Sequence, residues 1–226
     1  MCVIASEAKQ PHFLIAPTLK GERIIIRPLM RSDLDKRLQW KPYPEPLYKH
    51  YNRGEMSTEE KDNWYSDRTT NPTVLYLAIV RRDSYGDNYQ GELLGFLNIF
   101  NINRGNLTAK FGIYLGFKFT DKGYGTEAIN ILLSYYFEKM KFRELQLGVA
   151  ALNHRAIRCY QKCGFKYVGT TYNKHDPRSG LDIFGDEKYK DIRKYFKQDG
   201  DDILIRFEEM RITKEMWLTS KDNLCE

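Results

Sequence analysis

Residues 120–128 read Thr120-Asp121-Lys122-Gly123-Tyr124-Gly125-Thr126-Glu127-Ala128, at the point where an extended apolar segment turns into an amphipathic helix. Glycine allows positive φ and lets the backbone approach a ligand closely, and this turn has two glycines one residue apart. The first N–H groups of a helix lack intrahelical partners, and the helix dipole makes that end positive. The turn therefore predicts a phosphate-binding site, and glycines that only reverse the chain are the alternative.

A second segment, at residues 153–165, has the ends of a short helix. It reads Asn153-His154-Arg155-Ala156-Ile157-Arg158-Cys159-Tyr160-Gln161-Lys162-Cys163-Gly164-Phe165, with an N-cap residue at its start and a glycine near its end. Between the two segments, apolar residues at helical spacing from residue 128 to residue 140 indicate a helix with a core-facing stripe. Residues 145–150 form a short apolar run typical of a strand. The chain thus runs strand, glycine-opened helix, strand and helix.

In this order and spacing, the two segments resemble the acetyl-CoA site of the GNAT N-acetyltransferase superfamily. Gly112-Ile113-Tyr114-Leu115, followed by residues 122–128, is similar to the Rim-type branch, which includes ribosomal-protein N-terminal acetyltransferases. Residues 19–29, residues 202–205 and Trp217 suit the same branch.

The resemblance covers residues 18–217, which we expect to form a single GNAT acetyltransferase domain between an N-terminal arm (1–17) and a C-terminal tail (218–226). It implies an α/β (α+β) fold, with a mixed, mostly antiparallel sheet of about seven strands that is splayed at strands 4 and 5 and has helices on both faces. Residue patterns place strands at 23–27, 74–81, 93–102, 107–115, 145–150, 166–172 and 203–212. Residues 173–199 exceed the family's usual connection, so we interpret them as a long inserted loop that is either disordered or functional, and a functional loop would shape the acceptor side.

Two further helices and a proline-rich loop precede the central strands. One helix is predicted from residue 32 toward residue 40, and the other follows Ser57, whose capping-box partner is Glu60. Prolines in residues 41–51 argue against a regular element there. The resemblance places this loop near the acceptor pocket, where its aromatic side chains either contact the substrate or only anchor the loop: Tyr43, Tyr48, His50 and Tyr51. Residues 83–90 are interpreted as a polar turn.

Composition narrows the class of protein. The 226 residues are 42% hydrophobic and contain no apolar run long enough to span a bilayer and no signal-peptide pattern, so we expect a cytoplasmic protein with no membrane partner. The four cysteines have neither metal-ligand nor disulfide-framework spacing, which predicts reduced thiols, with core packing for Cys159 and Cys163, and no metal. The net charge of +6 is spread along the chain and suits CoA better than a nucleic acid, for which no basic run is present. A homodimer is left open.

The resemblance implies acetyl-CoA as co-substrate. Backbone amides of residues 122–126 would hold its pyrophosphate, and residues 113–115 would pair with its pantetheine arm as an added strand. Asn153 would hydrogen-bond the arm, cap its own helix, or do both. The residues assigned to cofactor binding are Ile113, Tyr114, Leu115, Lys122, Gly123, Tyr124, Gly125, Thr126 and Asn153. The family usually has Gln or Arg where this chain has Thr120. This difference should weaken cofactor binding little, because backbone amides do most of the binding.

Tyr160 is the catalytic residue that the resemblance implies, because a tyrosine there meets the CoA sulfur and protonates or stabilises the departing thiolate. A free thiol has a pKa of about 8.5 and tyrosine one of about 10, so full proton transfer is uphill by roughly 2 kcal/mol. A hydrogen bond from the hydroxyl to the thiolate is therefore the role we expect. A non-catalytic acyl-CoA-binding or sensing protein with the same fold is the alternative, suggested by the absence of a glutamate base, and replacement of Tyr160 discriminates between the two.

The amine acceptor must attack as a neutral nucleophile. Some family members place a glutamate base on the fourth strand or on the strand before Asn153, but this chain has Ala109-Lys110 near the first position and Gly148 at the second, so that base is missing. An α-amine (pKa about 7.7–8.0) is roughly one tenth neutral at pH 7. Deprotonation of a lysine-like amine, with a pKa near 10.4, costs about 4.6 kcal/mol at that pH. We therefore favour a protein or peptide N-terminus, with a polyamine, amino sugar or aminoglycoside as the alternative.

Carboxylates elsewhere offer substitutes for that base, but the sequence does not position them at the substrate. The candidates for a base are Glu127, Asp202 and Glu208. A cluster of acidic residues near the C-terminus would suit a cationic acceptor, or it simply marks solvated strand ends: Asp199, Asp201, Asp202, Glu208 and Glu209.

Overall fold

The computed structural model describes residues 16–82, 91–176 and 180–222, without the side chains of residues 46, 49, 50 and 222. Most of the expected N-terminal arm, the predicted polar turn at residues 83–90 and the side chain of His50 lie outside this part of the chain. Within it, no helix combines the length and the apolar character that a membrane span requires.

In the described part of the chain, nine strands form one sheet. They are β1 (Leu19–Lys20), β2 (Ile24–Pro28), β3 (Leu75–Arg81), β4 (Leu93–Asn103), β5 (Thr108–Leu115), β6 (Glu144–Ala150), β7 (Lys166–Lys174), β8 (Phe196–Asp199) and β9 (Asp202–Thr213). Their order is β1-β2-β3-β4-β5-β6-β9-β7, with β8 also beside β9. Among the strand pairs of the described residues, only β5 and β6 are parallel, so the predicted mixed, mostly antiparallel sheet is confirmed.

The count of about seven strands was too low, because β1 and β8 are too short to produce a sequence pattern. Each is the short arm of a hairpin, β1 beside β2 and β8 beside β9. Residues 173–199, expected as a loop, contain the end of β7, a 3₁₀ helix at Glu187–Tyr195 and β8. The proline loop also has one regular element, a 3₁₀ helix at Pro46–Tyr51, so the expectation of none was wrong. Proline is tolerated in a first helical turn, whose N–H groups have no intrahelical acceptor.

Helices cover both faces of the sheet, as expected. The helices are α1 (Arg31–Leu38), α2 (Thr58–Thr69), α3 (Tyr124–Ser134), α4 (His154–Lys162) and α5 (Lys214–Asp222). Strand side chains alternate between faces, so Ile25 packs with Leu34 of α1 and Trp64 of α2, while Ile24 and Ile26 pack in the core that contains α3, α4 and α5. The predicted capping box of α2 is present.

The core-facing stripe of α3 is confirmed. The helix continues as a π-helical turn at Tyr135–Lys139, and its apolar side chains are fully buried: Ala128, Ile129, Leu132, Leu133, Tyr136 and Phe137. Because these aromatic rings fill the core, they are not available to a ligand.

The predicted splay lies between β5 and β6. The two strands pair only from Thr108–Glu144 to Lys110–Gln146. Beyond that point, β5 continues to Leu115 paired with β4, and β6 continues to Ala150 paired with β9. We call the space between residues 111–115 of β5 and residues 147–150 of β6 the β5–β6 gap.

Candidate active site

The glycine turn that opens α3 has the backbone conformation that its sequence predicts. Gly123 is the N-cap of α3, with φ +81°, a value that L side chains adopt at a cost of roughly 1–2 kcal/mol. A Cβ at this position would also lie 3.0 Å from Nη2 of Arg23. The sequence therefore needs glycine here, and the turn presents the free N–H groups of the first turn of α3.

Arg23, just before β2, supports this turn from behind. Its backbone N–H and its Nε donate to the two carboxylate oxygens of Glu127, at 2.8 and 2.9 Å, and its Nη1 donates to the carbonyl of Lys122 at 3.0 Å. Its guanidinium also lies 5.0 Å from the centre of the Tyr124 ring. Arg23 thus holds the Glu127 side chain behind the turn.

A cavity of about 300 Å³ lies between the end of β5, the glycine turn and α4. Among its described lining are eight of the ten residues assigned a role from the sequence: Ile113, Tyr114, Leu115, Gly123, Gly125, Thr126, Asn153 and Tyr160. Lys122 and Tyr124 are not part of this lining. The sequence-predicted residues, up to 47 positions apart, are thus brought to one place, while their individual roles stay predictions.

Asn153 caps α4 and also borders this central cavity. Its Oδ1 accepts a hydrogen bond from the N–H of Ala156 at 3.2 Å. The capping role left open by the sequence is therefore present, and the carboxamide N–H₂ group remains as a donor for a ligand.

Tyr160 lies in the wall of the cavity, with 8% of the residue exposed. The edge of its ring packs against Phe111 and Phe165, at centroid distances of 5.9 and 6.0 Å. Its hydroxyl makes no hydrogen bond to any described residue. Burial, with smaller contributions from Tyr51, Cys159 and Cys163, raises the pKa of Tyr160 above its usual value. The hydroxyl is therefore protonated at neutral pH and can donate a hydrogen bond, and it is too weak an acid to give its proton away readily.

Three cations of α4 line the cavity and were given no role from the sequence. Arg155, Arg158 and Lys162 follow each other at helical spacing, which puts them on one side of α4. The lining contains one carboxylate, Asp121, which lies 3.4 Å from Nη1 of Arg155. This excess of positive charge suits a ligand with several phosphates. The helical spacing of the three basic residues was the sequence signal from which their position at the site could have been predicted.

Two thiols flank the glycine turn. Sγ of Cys159 lies 3.4 Å from Oγ1 of Thr126, and Sγ of Cys163 lies 3.9 Å from the Thr126 carbonyl oxygen. Both cysteines are free; Cys163 packs in the core as expected, whereas Cys159 lines the cavity. A hydrogen bond from Cys163, followed by one from Thr126, lowers the pKa of Cys159 below its usual value. Among the described residues, no cluster of His, Cys, Asp or Glu is arranged to hold a metal ion.

The tyrosines of the proline loop line the cavity beside the C-terminal end of β5. The Tyr43 hydroxyl donates to the carbonyl of Leu115 at 2.7 Å, and burial raises its pKa to about 12. Its ring lies 5.8 Å from that of Tyr48 and 5.6 Å from that of Tyr51, which stacks on Tyr114 at 6.2 Å. Tyr43 and Tyr51 belong to the cavity lining, so this loop does meet the site.

A family model described as "Acetyltransferase (GNAT) domain" matches residues 23–166. The chain therefore belongs to the GNAT acetyltransferase family, a class of enzymes that use acetyl-CoA as co-substrate, as the glycine turn and the splayed strands predicted. It is 27% identical over 158 residues to "Probable N-acetyltransferase YjcK" of Bacillus subtilis, a match that covers 67% of this chain and 84% of the relative.

Two other relatives differ in the acceptor that their names give. Spermidine N(1)-acetyltransferase of Vibrio cholerae is 26% identical over 107 residues, which are 47% of this chain and 57% of the relative. A solved structure of spermidine N-acetyltransferase from that organism, in complex with CoA and spermine, has a TM-score of 0.61 at 19% identity and covers 88% of this chain and 99% of its own. YdaF of Bacillus subtilis, named as a ribosomal N-acetyltransferase, is 27% identical over 97 residues, 43% of this chain and 50% of the relative. The resemblance to the Rim-type branch is thus confirmed.

Proposed function

We propose that the protein transfers the acetyl group of acetyl-CoA to the α-amine of a protein or peptide N-terminus, by direct attack in a ternary complex. The observation that carries this proposal is the β5–β6 gap, which opens between the glycine turn of α3 and the side chain of Tyr160. A phosphate-binding turn, an open strand edge and a buried hydroxyl stand there in the order that diphosphate, pantetheine and thioester have in acetyl-CoA.

The charges and backbone groups around the cavity support this orientation of the cofactor. N–H groups at the start of α3 would bind the diphosphate, assisted by Arg155, Arg158 and Lys162. The free edge of β5 at residues 113–115 would then pair with the amides of pantetheine. This places the phosphates at the mouth of the gap and the thioester toward its closed end at Lys110 and Gln146.

Tyr160 supplies the group for the leaving thiolate. Its ring is held by Phe111 and Phe165, and its raised pKa keeps the proton on oxygen. A hydrogen bond to a charged acceptor is shorter and stronger than one to a neutral acceptor. The interaction therefore grows as the C–S bond breaks and the sulfur becomes negative, which lowers the barrier without tightening substrate binding.

Two features favour an α-amine as acceptor. The described lining of the cavity includes one acid, Asp121, which lies beside Arg155. Such a lining offers little to a polycation, which needs several negative partners. Deprotonation at pH 7 also costs less free energy for an α-amine than for a lysine-like amine, since the pKa of an α-amine is about 7.7–8.0.

A small polyamine is the second candidate acceptor. It is favoured by the relative named spermidine N(1)-acetyltransferase, which is 26% identical over 107 residues. Under this alternative the acidic residues at the turn between β8 and β9 would hold the additional amines of the substrate: Asp199, Asp201 and Asp202.

The test measures free-thiol release from acetyl-CoA with an Ala- or Ser-initiated peptide, spermidine, an aminoglycoside and free lysine, at pH 7 and pH 9. We expect the peptide to be turned over substantially already at pH 7. Faster turnover of spermidine than of any peptide would replace the α-amine by a polyamine. No turnover with any acceptor, together with tight acetyl-CoA binding, would favour a binding protein.

A further inference from the structure

The carboxylate of Glu209 reaches across β6 toward the β5–β6 gap. Glu209 of β9 pairs with Gly148 of β6, and its Oε1 lies 3.0 Å from the position that a Cβ on Gly148 would take. Its Oε2 lies 3.3 Å from Nζ of Lys110 on β5. The side chain therefore starts on one neighbour of β6 and ends at the other, and it uses the space that the missing side chain of Gly148 leaves free.

This carboxylate lies at the closed end of the gap. Lys110 is the last residue of β5 that pairs with β6, whereas Gly148 belongs to the part of β6 that has separated from β5. With the phosphates at the glycine turn, the thioester of acetyl-CoA points toward this end. Glu209 is thus close to the level at which the acetyl carbonyl would stand.

Glu209 and Tyr160 flank this level from opposite faces of the sheet. Phe111 follows Lys110 in β5, and successive side chains of a strand point to opposite faces. The Phe111 ring contacts Tyr160 of α4 on one face, while the Lys110 ammonium contacts Glu209 on the other. A leaving thiolate at Tyr160 and an amine arriving beside Glu209 would therefore meet the same carbonyl carbon from two sides.

The reaction needs a proton acceptor on the side of the amine. As the C–N bond forms, the nitrogen becomes cationic and must lose one proton, and as the C–S bond breaks the sulfur leaves as a thiolate that takes up one proton from solvent. We propose that Glu209 is the general base that accepts the proton from the attacking nitrogen. This inference rests on the acetyl transfer proposed above, and it supplies from β9 the carboxylate that Lys110 and Gly148 do not provide.

The other acids considered from the sequence are less well placed in the described chain. Glu127 is bound by Arg23 behind the glycine turn. Glu208 pairs with the buried Val149, on the opposite face from Glu209, and its Oε1 lies 2.8 Å from Nη2 of Arg206. Asp202, at the far end of β9, forms an ion pair with Lys174.

The surroundings of Glu209 leave it accessible. Its side chain is 22% exposed, and besides Lys110 it accepts a hydrogen bond from the Thr171 hydroxyl at 2.9 Å. Arg211, two residues on along the same face, lies 3.3 Å from Glu144 and so has its own partner. A carboxylate held by an ammonium and a hydroxyl is fixed in position, and part of its surface remains exposed to solvent.

The test compares Glu209→Gln with Glu208→Gln, a matched control on the same strand and the opposite face. Because general-base catalysis contributes about 10²–10⁴-fold, we expect Glu209→Gln to lower kcat/KM for the amine at least 100-fold. Acetyl-CoA affinity by calorimetry and the unfolding temperature should stay near the wild-type values. Glu208→Gln should keep kcat/KM within a few-fold.

Chemical rescue separates catalysis from structure. In Glu209→Ala, added formate should restore turnover in a concentration-dependent way, since a small carboxylate can enter the space that the side chain vacates. Each variant is assayed with a Ser-initiated peptide and with spermidine. A wrong acceptor shows in the ratio of the two wild-type rates, and a wrong base shows in the ratio of variant to wild-type rates with the same acceptor. Loss of less than three-fold in Glu209→Gln, or a loss that formate does not restore, would overturn the proposal.

Discussion

Replacement of Tyr160 by phenylalanine tests the chemistry of the site with the smallest change in packing. The ring contacts with Phe111 and Phe165 are kept, and the deleted hydroxyl makes no hydrogen bond to any described residue. We therefore expect the free energy of unfolding to change by less than the net contribution of one hydrogen bond, about 1 kcal/mol. The effect on turnover should be much larger.

The expected loss follows from the charge on the leaving sulfur. A hydrogen bond to a charged group contributes about 1.5–3 kcal/mol, which corresponds to a loss of roughly 10- to 150-fold in kcat by the transition-state relation. Acetyl-CoA carries a neutral thioester sulfur, so its affinity should change little. Thiol release under saturating acetyl-CoA gives kcat, and calorimetry with acetyl-CoA gives the affinity.

Tyr136→Phe provides the matched control. The Tyr136 hydroxyl, buried in the core away from the cavity, donates to the carbonyl of Glu144 at 2.7 Å. Its loss should cost about 1 kcal/mol or more of stability and leave kcat unchanged. The reasoning would be refuted if Tyr160→Phe kept full turnover, or if it lost turnover only in proportion to lost stability or lost acetyl-CoA binding.

Three other perturbations address the turn, the core and the thiol. Gly123→Ala forces a methyl group into φ +81°, at a cost of roughly 1–2 kcal/mol; we expect several-fold weaker acetyl-CoA binding by calorimetry, and unchanged affinity would contradict the role of the turn. Asp33→Asn removes the carboxylate charge that neutralises the buried Arg27 guanidinium, since their side chains are 0% and 1% exposed and 2.6 Å apart. We expect the free energy of unfolding in denaturant titrations to fall by about 3–5 kcal/mol, and a loss below 1 kcal/mol would speak against a buried pair. The thiolate fraction rises with pH through the pKa, so the lowered pKa of Cys159 moves its alkylation curve to lower pH than that of free cysteine, about 8.5. Mass spectrometry after iodoacetamide treatment should show this shift, with protection by acetyl-CoA, and alkylation that acetyl-CoA leaves unchanged would place the thiol outside the cofactor site.

Much of the fold follows from local sequence patterns. The capping box at Ser57, the apolar stripe of α3 and the glycine turn at Gly123 each lie within a few consecutive residues, so periodicity and turn chemistry suffice to find them. The sequence patterns did not predict β1 and β8, because strands of two and four residues are too short to show periodicity. Helix α5 was not predicted because its apolar residues Met216, Trp217 and Leu218 are consecutive and show no helical spacing.

The site was predictable only where its residues lie together in the sequence. The glycine turn, Asn153 and Tyr160 belong to two local segments that the family resemblance joins. Contacts between distant strands have no such signal: Arg23 meets Glu127 across 104 residues, and Lys110 meets Glu209 across 99. The sequence offered Glu209 only as one acid among several, because the register of β9 against β6 decides which of them crosses to the gap.

The most direct test of the account is a competition between acceptors. Wild-type protein is incubated at pH 7 with acetyl-CoA and equal concentrations of a Ser-initiated peptide and spermidine, and mass spectrometry follows both products while free thiol is measured. The account predicts acetylation of the peptide at its α-nitrogen, at a rate that matches thiol release. Preferential acetylation of spermidine, or thiol release without an acetylated peptide, would contradict it.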